Sequence, residues 1–143
     1  MIGSILKGKG RDIVSVAPDD QIASVARTLT EHRIGAALVR DAAGRMLGII
    51  SERDIVRGMA QQGQGTTQLP AKQLMTSELV TVTPQMSVTE AMGLMTRRRV
   101  RHLPVLEGDK LVGMVSIGDL VKARIEEAEH EAAELKAYVV SAG

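Results

Sequence analysis

Apolar positions along this chain fall into short strand-like runs separated by helix-period stretches, and the whole succession occurs twice. Val14-Ser-Val-Ala-Pro18 opens the first pass, and Val80-Thr-Val-Thr-Pro84 opens the second, 66 residues later. At that spacing Ile22, Ala26 and Leu29 fall on Val88, Met92 and Met95. A step of four and then three residues marks one face of a helix. The second of these helices begins at Ser87-Val-Thr-Glu90, a capping-box pattern, and the first after Asp19-Asp20. Arg33-Ile34 then meets Arg99-Val100, and Leu38-Val39 meets Pro104-Val105. After one residue is lost in a turn, Gly48, Ser51 and Asp54 meet Gly113, Ser116 and Asp119. A match that survives helix, strand, turn and strand is a duplication.

Each copy therefore predicts strand, helix, strand, turn, strand, helix. In the first copy the helix covers 21–32, strands cover 35–39 and 46–50, and a second helix runs from 52 to 61. In the second the helix covers 88–98 and the strands 103–106 and 111–115, joined at Glu107-Gly108-Asp109. The stretch 62–70 is polar and Gly-rich and predicts a linker, with a helical turn at 71–75 leading onward. From 120 to near 141 a helix is expected, on which Val121, Ile125, Ala128, Ala132, Leu135 and Val139 make an a/d seam. This helix can pair with a second subunit, the favoured reading, or fold back over its own domain. The resulting boundaries are 8–66 for the first repeat, 74–126 for the second and 127–143 for a C-terminal helical extension.

Composition narrows the partners. The chain has 143 residues with no Trp, no Phe and a single Tyr, so its core is aliphatic and offers no aromatic platform for nucleic-acid bases. A net charge of +1 gives no electrostatic case for nucleic acid or a membrane surface. Without cysteine there is no disulfide frame, thiolate nucleophile or Cys-based zinc site. The apolar N-terminal run is too short for a signal peptide and no run approaches a membrane span, so a cytoplasmic location is expected.

The two Gly-x-x-Ser-x-x-Asp turns carry the candidate chemistry. Ser three residues before Asp, where a strand passes into a helix, is first of all a capping box. The preceding glycine also removes a side chain and lets another group approach the backbone. A helix N-terminus favours an anion, and an Asp there can accept two hydrogen bonds from a ribose diol. Together these sketch a nucleotide-shaped site. In Arg97-Arg-Arg99-Val-Arg101-His102, the first two arginines suit a helix C-terminus, whereas Arg101 and His102 precede a strand and Arg101 can grip a phosphate. No nucleophile elbow, phosphate-binding loop or metal-ligand spacing is present, so neither catalysis nor a metal site is expected.

The duplicated motifs resemble the tandem cystathionine-β-synthase (CBS) domain pair, or Bateman module. The pieces that carry the resemblance are Val-x-Val-x-Pro opening each copy, the Ala-Met-x-x-Met helix, Arg101-His-Leu-Pro-Val105 and both Gly-x-x-Ser-x-x-Asp turns. The resemblance implies an α/β fold of two β-α-β-β-α repeats about a pseudo-twofold axis, with two clefts that bind AMP, ADP, ATP, NAD(H) or S-adenosylmethionine. It also implies a homodimer or higher homo-oligomer that reports to a regulated protein, with no catalytic cofactor. By position, Asp119 and Asp54 would hold ribose, with Ser116 and Ser51 near phosphate or ribose. Arg101 and His102 would reach phosphates, Thr81 and Thr83 would lie near base or phosphate, and Ile34, Gly35 and Ala36 would line a wall. The copies differ: Gly35-Ala36 stands opposite Arg101-His102, and Glu52-Arg53 opposite Ile117-Gly118. Arg53 is either an extra phosphate contact or an exposed side chain.

Overall fold

The computed structural model describes residues 1–10 and 12–142. Its elements follow as α1 (Ile2–Lys9), β1 (Ser15–Val16), α2 (Ile22–His32), β2 (Ala36–Arg40), β3 (Met46–Ser51), α3 (Glu52–Gln62), α4 (Ala71–Leu74), α5 (Val88–Arg98), β4 (His102–Glu107), β5 (Lys110–Ser116) and α6 (Ile117–Ala142). The fold is mixed α/β, as expected, and divides into two compact units. One is Asp12–Leu79; the other joins Met1–Arg11 to Val80–Gly143. No helix among the described residues is long and apolar enough to cross a membrane.

In the unit 12–79, β2 lies between β1, to which it is parallel, and β3, to which it is antiparallel. Ile22, Val25 and Leu29 of α2 pack on this sheet with Ala37, Val39 and Ile50. The buried face thus takes Val25 rather than the expected Ala26, a turn of one residue about the helix axis, and Ala91 replaces Met92 in the same way in α5. Both helices stop on an arginine in the left-handed region, Arg33 at φ 53° and Arg99 at φ 54°. Each donates its N–H back to a carbonyl of the last turn, Leu29 or Met95. The stretch expected as a linker contains a regular element. Residues Gly63–Gln68 form a 3-10 turn in which the fully buried Thr66 hydroxyl bonds to the carbonyls of Gly58 and Gly63, at 3.1 and 2.7 Å.

The other unit repeats the plan with β4, β5, α5 and the start of α6. A single bridge from Val82 to Val105 takes the place of the first strand. The apolar N-terminal run, read only as too short for a leader, becomes α1 and belongs to this unit. Ile2 and Leu6 are buried in its core, and the N–H groups of Ile2 and Gly3 donate to the carbonyls of Met86 and Pro84. The short helix α4 does the same in the first unit, where Ala71 and Lys72 donate to the carbonyls of Asp20 and Pro18. Each unit is therefore closed by a helix that precedes the other repeat in sequence.

The turn glycines are shaped by this closure. A Cβ on Gly48 would lie 2.6 Å from the Thr76 carbonyl oxygen and 2.9 Å from Met75 Sδ. A Cβ on Gly113 would lie 2.6 Å from Leu6 Cδ2. What approaches the backbone at each glycine is the chain itself. Gly48→Ala meets a carbonyl that is fixed by a reciprocal pair of backbone hydrogen bonds between Ile49 and Thr76. Gly113→Ala meets only the end of a leucine. We expect a cost of about 1–3 kcal/mol for Gly48→Ala, as for overpacking in general, and a smaller loss for Gly113→Ala, both read by denaturant melts.

Candidate functional site

In the second repeat the turn is built where β5 passes into α6. Ser116 is the last strand residue and Asp119 stands in the first helical turn. The Ser116 N–H donates to Asp119 Oδ2 at 2.8 Å, and the Asp119 N–H donates to Ser116 Oγ at 3.1 Å. This reciprocal pair satisfies donors that a helix start leaves unmatched. His102 lies opposite Ser116 in the β4–β5 ladder, and the Arg101 carbonyl accepts the Ile117 N–H at 2.9 Å. Arg101, His102, Ser116 and Asp119 are thus brought to one end of this sheet, with Arg101 exposed and His102 half-buried. Thr81 and Thr83 flank Val82 beside β4, both exposed. The parallel register carries Thr83 towards the hairpin, so of the two Thr81 lies nearer the Ser116 end.

Sequence reasoning missed the group closest to Asp119. Lys9, the last residue of α1, places its ammonium 2.6 Å from Asp119 Oδ2 and 3.2 Å from the Met114 carbonyl. Burial alone would raise the Asp119 carboxyl. The Lys9 hydrogen bond, the Ser116 N–H and the Lys9 charge outweigh it and hold the carboxyl below its ordinary value of 3.8. No local pattern could have announced this contact, because it joins residues at opposite ends of the chain.

The first repeat builds the same turn and uses it differently. Asp54 Oδ2 accepts the Ser51 N–H at 2.9 Å and the Ser51 hydroxyl at 3.1 Å. The Asp54 N–H returns to Ser51 Oγ at 3.3 Å. Its Oδ1 accepts Arg57 and the Thr76 hydroxyl, both at 3.3 Å. Asp54 is only 5% exposed, whereas the Asp119 side chain is 24% exposed. Arg53 is exposed; Arg57, one turn on from Asp54, supplies the cation. Arg57 was legible as an i,i+3 partner, but Thr76 was not.

The expected wall residues fall partly elsewhere. The Gly35 carbonyl accepts the Glu52 N–H at 2.9 Å, which ties the start of β2 to the start of α3. Ile34 and Gly35 line an open groove of about 420 Å³ with Ala26, Arg33, Ile55 and Val56. Ala36 is buried. Among the described residues, no group of three or more His, Asp or Glu side chains is placed to hold a metal ion.

Comparison with known proteins agrees with this architecture. The sequence profile of the CBS domain matches residues 9–61 and 71–126. A mitochondrial CBS domain-containing protein of Arabidopsis thaliana is 36% identical over 96% of this chain and 71% of its own length. The crystal structure of a CBS-domain containing protein from Agrobacterium tumefaciens aligns with a TM-score of 0.85 at 44% identity, covering 86% of this chain and 92% of that one. A CBS domain protein from Pyrobaculum aerophilum, complexed with AMP, aligns with a TM-score of 0.72 at 31% identity, covering 82% and 88%.

The Lys9 pairing makes a testable pH statement. A carboxyl held below 3.8 in the folded chain adds stability that is present above that value and lost as pH falls through the folded value. Lys9→Met removes the ammonium and raises the folded Asp119 value. In a carbon-detected NMR titration the Asp119 carboxyl of the variant is expected to titrate at higher pH than in wild type, and acid unfolding should begin earlier.

Proposed function

This chain belongs to the CBS-domain family and carries the domain twice, and we propose that it is a regulatory module that binds an adenosine-containing ligand. AMP, ADP, ATP and NAD(H) are the ligands of choice. Residues 8–66 and 74–126 act as the two repeats and 127–143 as an extension. Occupancy is passed on through the geometry of a homodimer, or to a regulated protein, in the cytoplasm. The role is non-catalytic.

The observation that carries this reading is the difference between the two aspartates. Asp54 has both oxygens engaged by its own unit, whereas Asp119 keeps partial exposure and meets an exposed lysine. An ion pair of that kind contributes little and exchanges readily for a ligand. A ribose diol would replace Lys9 on Asp119, and the α6 N-terminus with Ser116 would face phosphate. Arg101 and His102 would add phosphate contacts, with Thr81 and Thr83 beside the ligand. Ser51, Asp54, Arg53, Ile34, Gly35 and Ala36 make the weaker counterpart in the first repeat. The Pyrobaculum aerophilum relative, complexed with AMP, supports an adenylate.

A second reading is a dimerisation or protein-interaction module without a nucleotide, and the full engagement of Asp54 in its cap favours it for the first repeat. Thermal denaturation separates the two. Ligand at a hundred times its dissociation constant adds about 2.7 kcal/mol. Asp119→Asn should remove most of the shift produced by AMP, ADP, ATP or NADH. Asp54→Asn should lower the melting temperature, at the scale of about 1 kcal/mol for a damaged capping box, and leave most of the ligand shift in place. If none of these compounds moves the wild-type melt at millimolar concentration, the interaction reading stands instead.

A further inference from the structure

The helix α6 runs from Ile117 to Ala142, and from Ala128 to Ala142 every residue is exposed. Four of its large apolar residues fall on one stripe, whereas Val140, 74% exposed, and Tyr138 lie off it. Val121, Ala128, Leu135 and Ala142 fall on one heptad position (d), and Ile125, Ala132 and Val139 on the other (a), which gives a stripe about 33 Å long at 1.5 Å per residue. Of these, Val121, Ile125, Leu135 and Val139 are 40%, 53%, 65% and 59% exposed. At its start the stripe is continuous with a hollow of about 570 Å³ lined by Ile117, Gly118, Val121, Lys122 and Ile125, together with Glu126 and Glu129.

The charges beside the stripe say what covers it. The positions that flank an a/d seam are Lys122, Glu129 and Lys136 on one side (e) and Arg124, Glu131 and Tyr138 on the other (g). In two parallel, in-register helices each g residue faces the e residue five places further on in the other helix. Here that matches Arg124 with Glu129 of the second copy and Glu131 with Lys136 of the second copy. Symmetry doubles both pairs, and every one of the four is of opposite sign. An antiparallel pair centred on the alanines would instead set Glu129 and Glu131 against themselves and Lys122 against Lys136. In the single chain Arg124 rests 3.8 Å from Glu127, a loose contact between exposed groups that is readily exchanged. Ile125 and Val139 at a, with Leu135 at d, follow the arrangement that favours two parallel strands, and alanines fill the middle of the seam.

We infer that α6 pairs with α6 of a second copy as a parallel, in-register two-stranded coiled coil, its orientation set by the Arg124–Glu129 and Glu131–Lys136 pairs. This rests on the homodimer proposed above and is independent of the ligand.

The absence of cysteine makes the test direct. Ile125→Cys and Leu135→Cys, each alone, should form a covalent dimer under mild oxidation, whereas Glu134→Cys, pointing outward, should not. No antiparallel register can bring both 125 to 125 and 135 to 135, so failure of either cross-link overturns the proposal. The double variant Glu129→Lys with Glu131→Lys, and its complement Arg124→Glu with Lys136→Glu, should each weaken the dimer roughly tenfold or more in sedimentation, and an equimolar mixture should restore it. Unchanged dimers of either variant alone overturn the charge assignment. Glu129, Glu131 and Lys136 are exposed and Arg124 is half-buried, and a cooperative thermal melt verifies that the variants fold. A dimer in sedimentation without cross-links refutes the helix pairing but leaves the homodimer. Cross-links without an adenylate-induced melt shift uphold the pairing and refute the ligand.

Discussion

Each half of this molecule covers its sheet with a helix taken from ahead of the other half, and most of the architecture depends on that covering. Sheets of two or three short strands, packed with aliphatic side chains alone, bury little surface by themselves. Leu6 lies over Gly113, and Met75 with Thr76 lies over Gly48. Both helices are fixed by the same device, two N–H groups donating to the carbonyls at and just after the proline that opens each repeat. Full burial of Ile2 and Leu6 contributes about 1.5–3 kcal/mol each. The closing segments also deliver chemistry: α1 brings Lys9 to Asp119, and the segment after α4 brings Thr76 to Asp54.

The same motif thus ends in two electrostatic situations. Both aspartates cap their helices. Asp54 is then sealed by a hydroxyl and a guanidinium, and almost no surface remains. Asp119 meets a single flexible ammonium at the rim, where solvent screening keeps the attraction modest. Duplication kept the backbone plan, while the neighbours supplied from other parts of the chain made one turn a structural joint and left the other accessible. Capping and ligand contact are compatible at Asp119 because the cap fixes the carboxylate in place before any partner arrives.

Much of this was legible from the residues. The offset between Val14 and Val80 located both repeats, and the periodicity placed α5 at its observed bounds, Val88–Arg98. The hairpin at Gly108 followed from turn chemistry, with its φ of 62° supplied by glycine. What could not be read was anything that depends on distant chain docking. A Gly-rich stretch gave no hint that Thr66 would anchor it from within, since that needs the Gly58 carbonyl as a floor. Lys9 carried no motif at all, and its role appears only once α1 is seated. The buried faces of α2 and α5 turned by one residue because the contact surface, not the four-three count, decides which side chain points inward.

The order of connection has a consequence for how the chain is made. The unit 12–79 is contiguous and can close as soon as its last strand partner emerges from the ribosome. The other unit is split: α1 is synthesised before the rest of it, and the strands that bury Ile2 and Leu6 follow about a hundred residues later. At roughly 5–20 residues per second that is a delay of about 5–20 s, during which an eight-residue helix has little stability of its own. The helix α1 is therefore made well before the surface it docks on, and the Asp119 turn acquires its lysine only after the strands of its own unit have emerged.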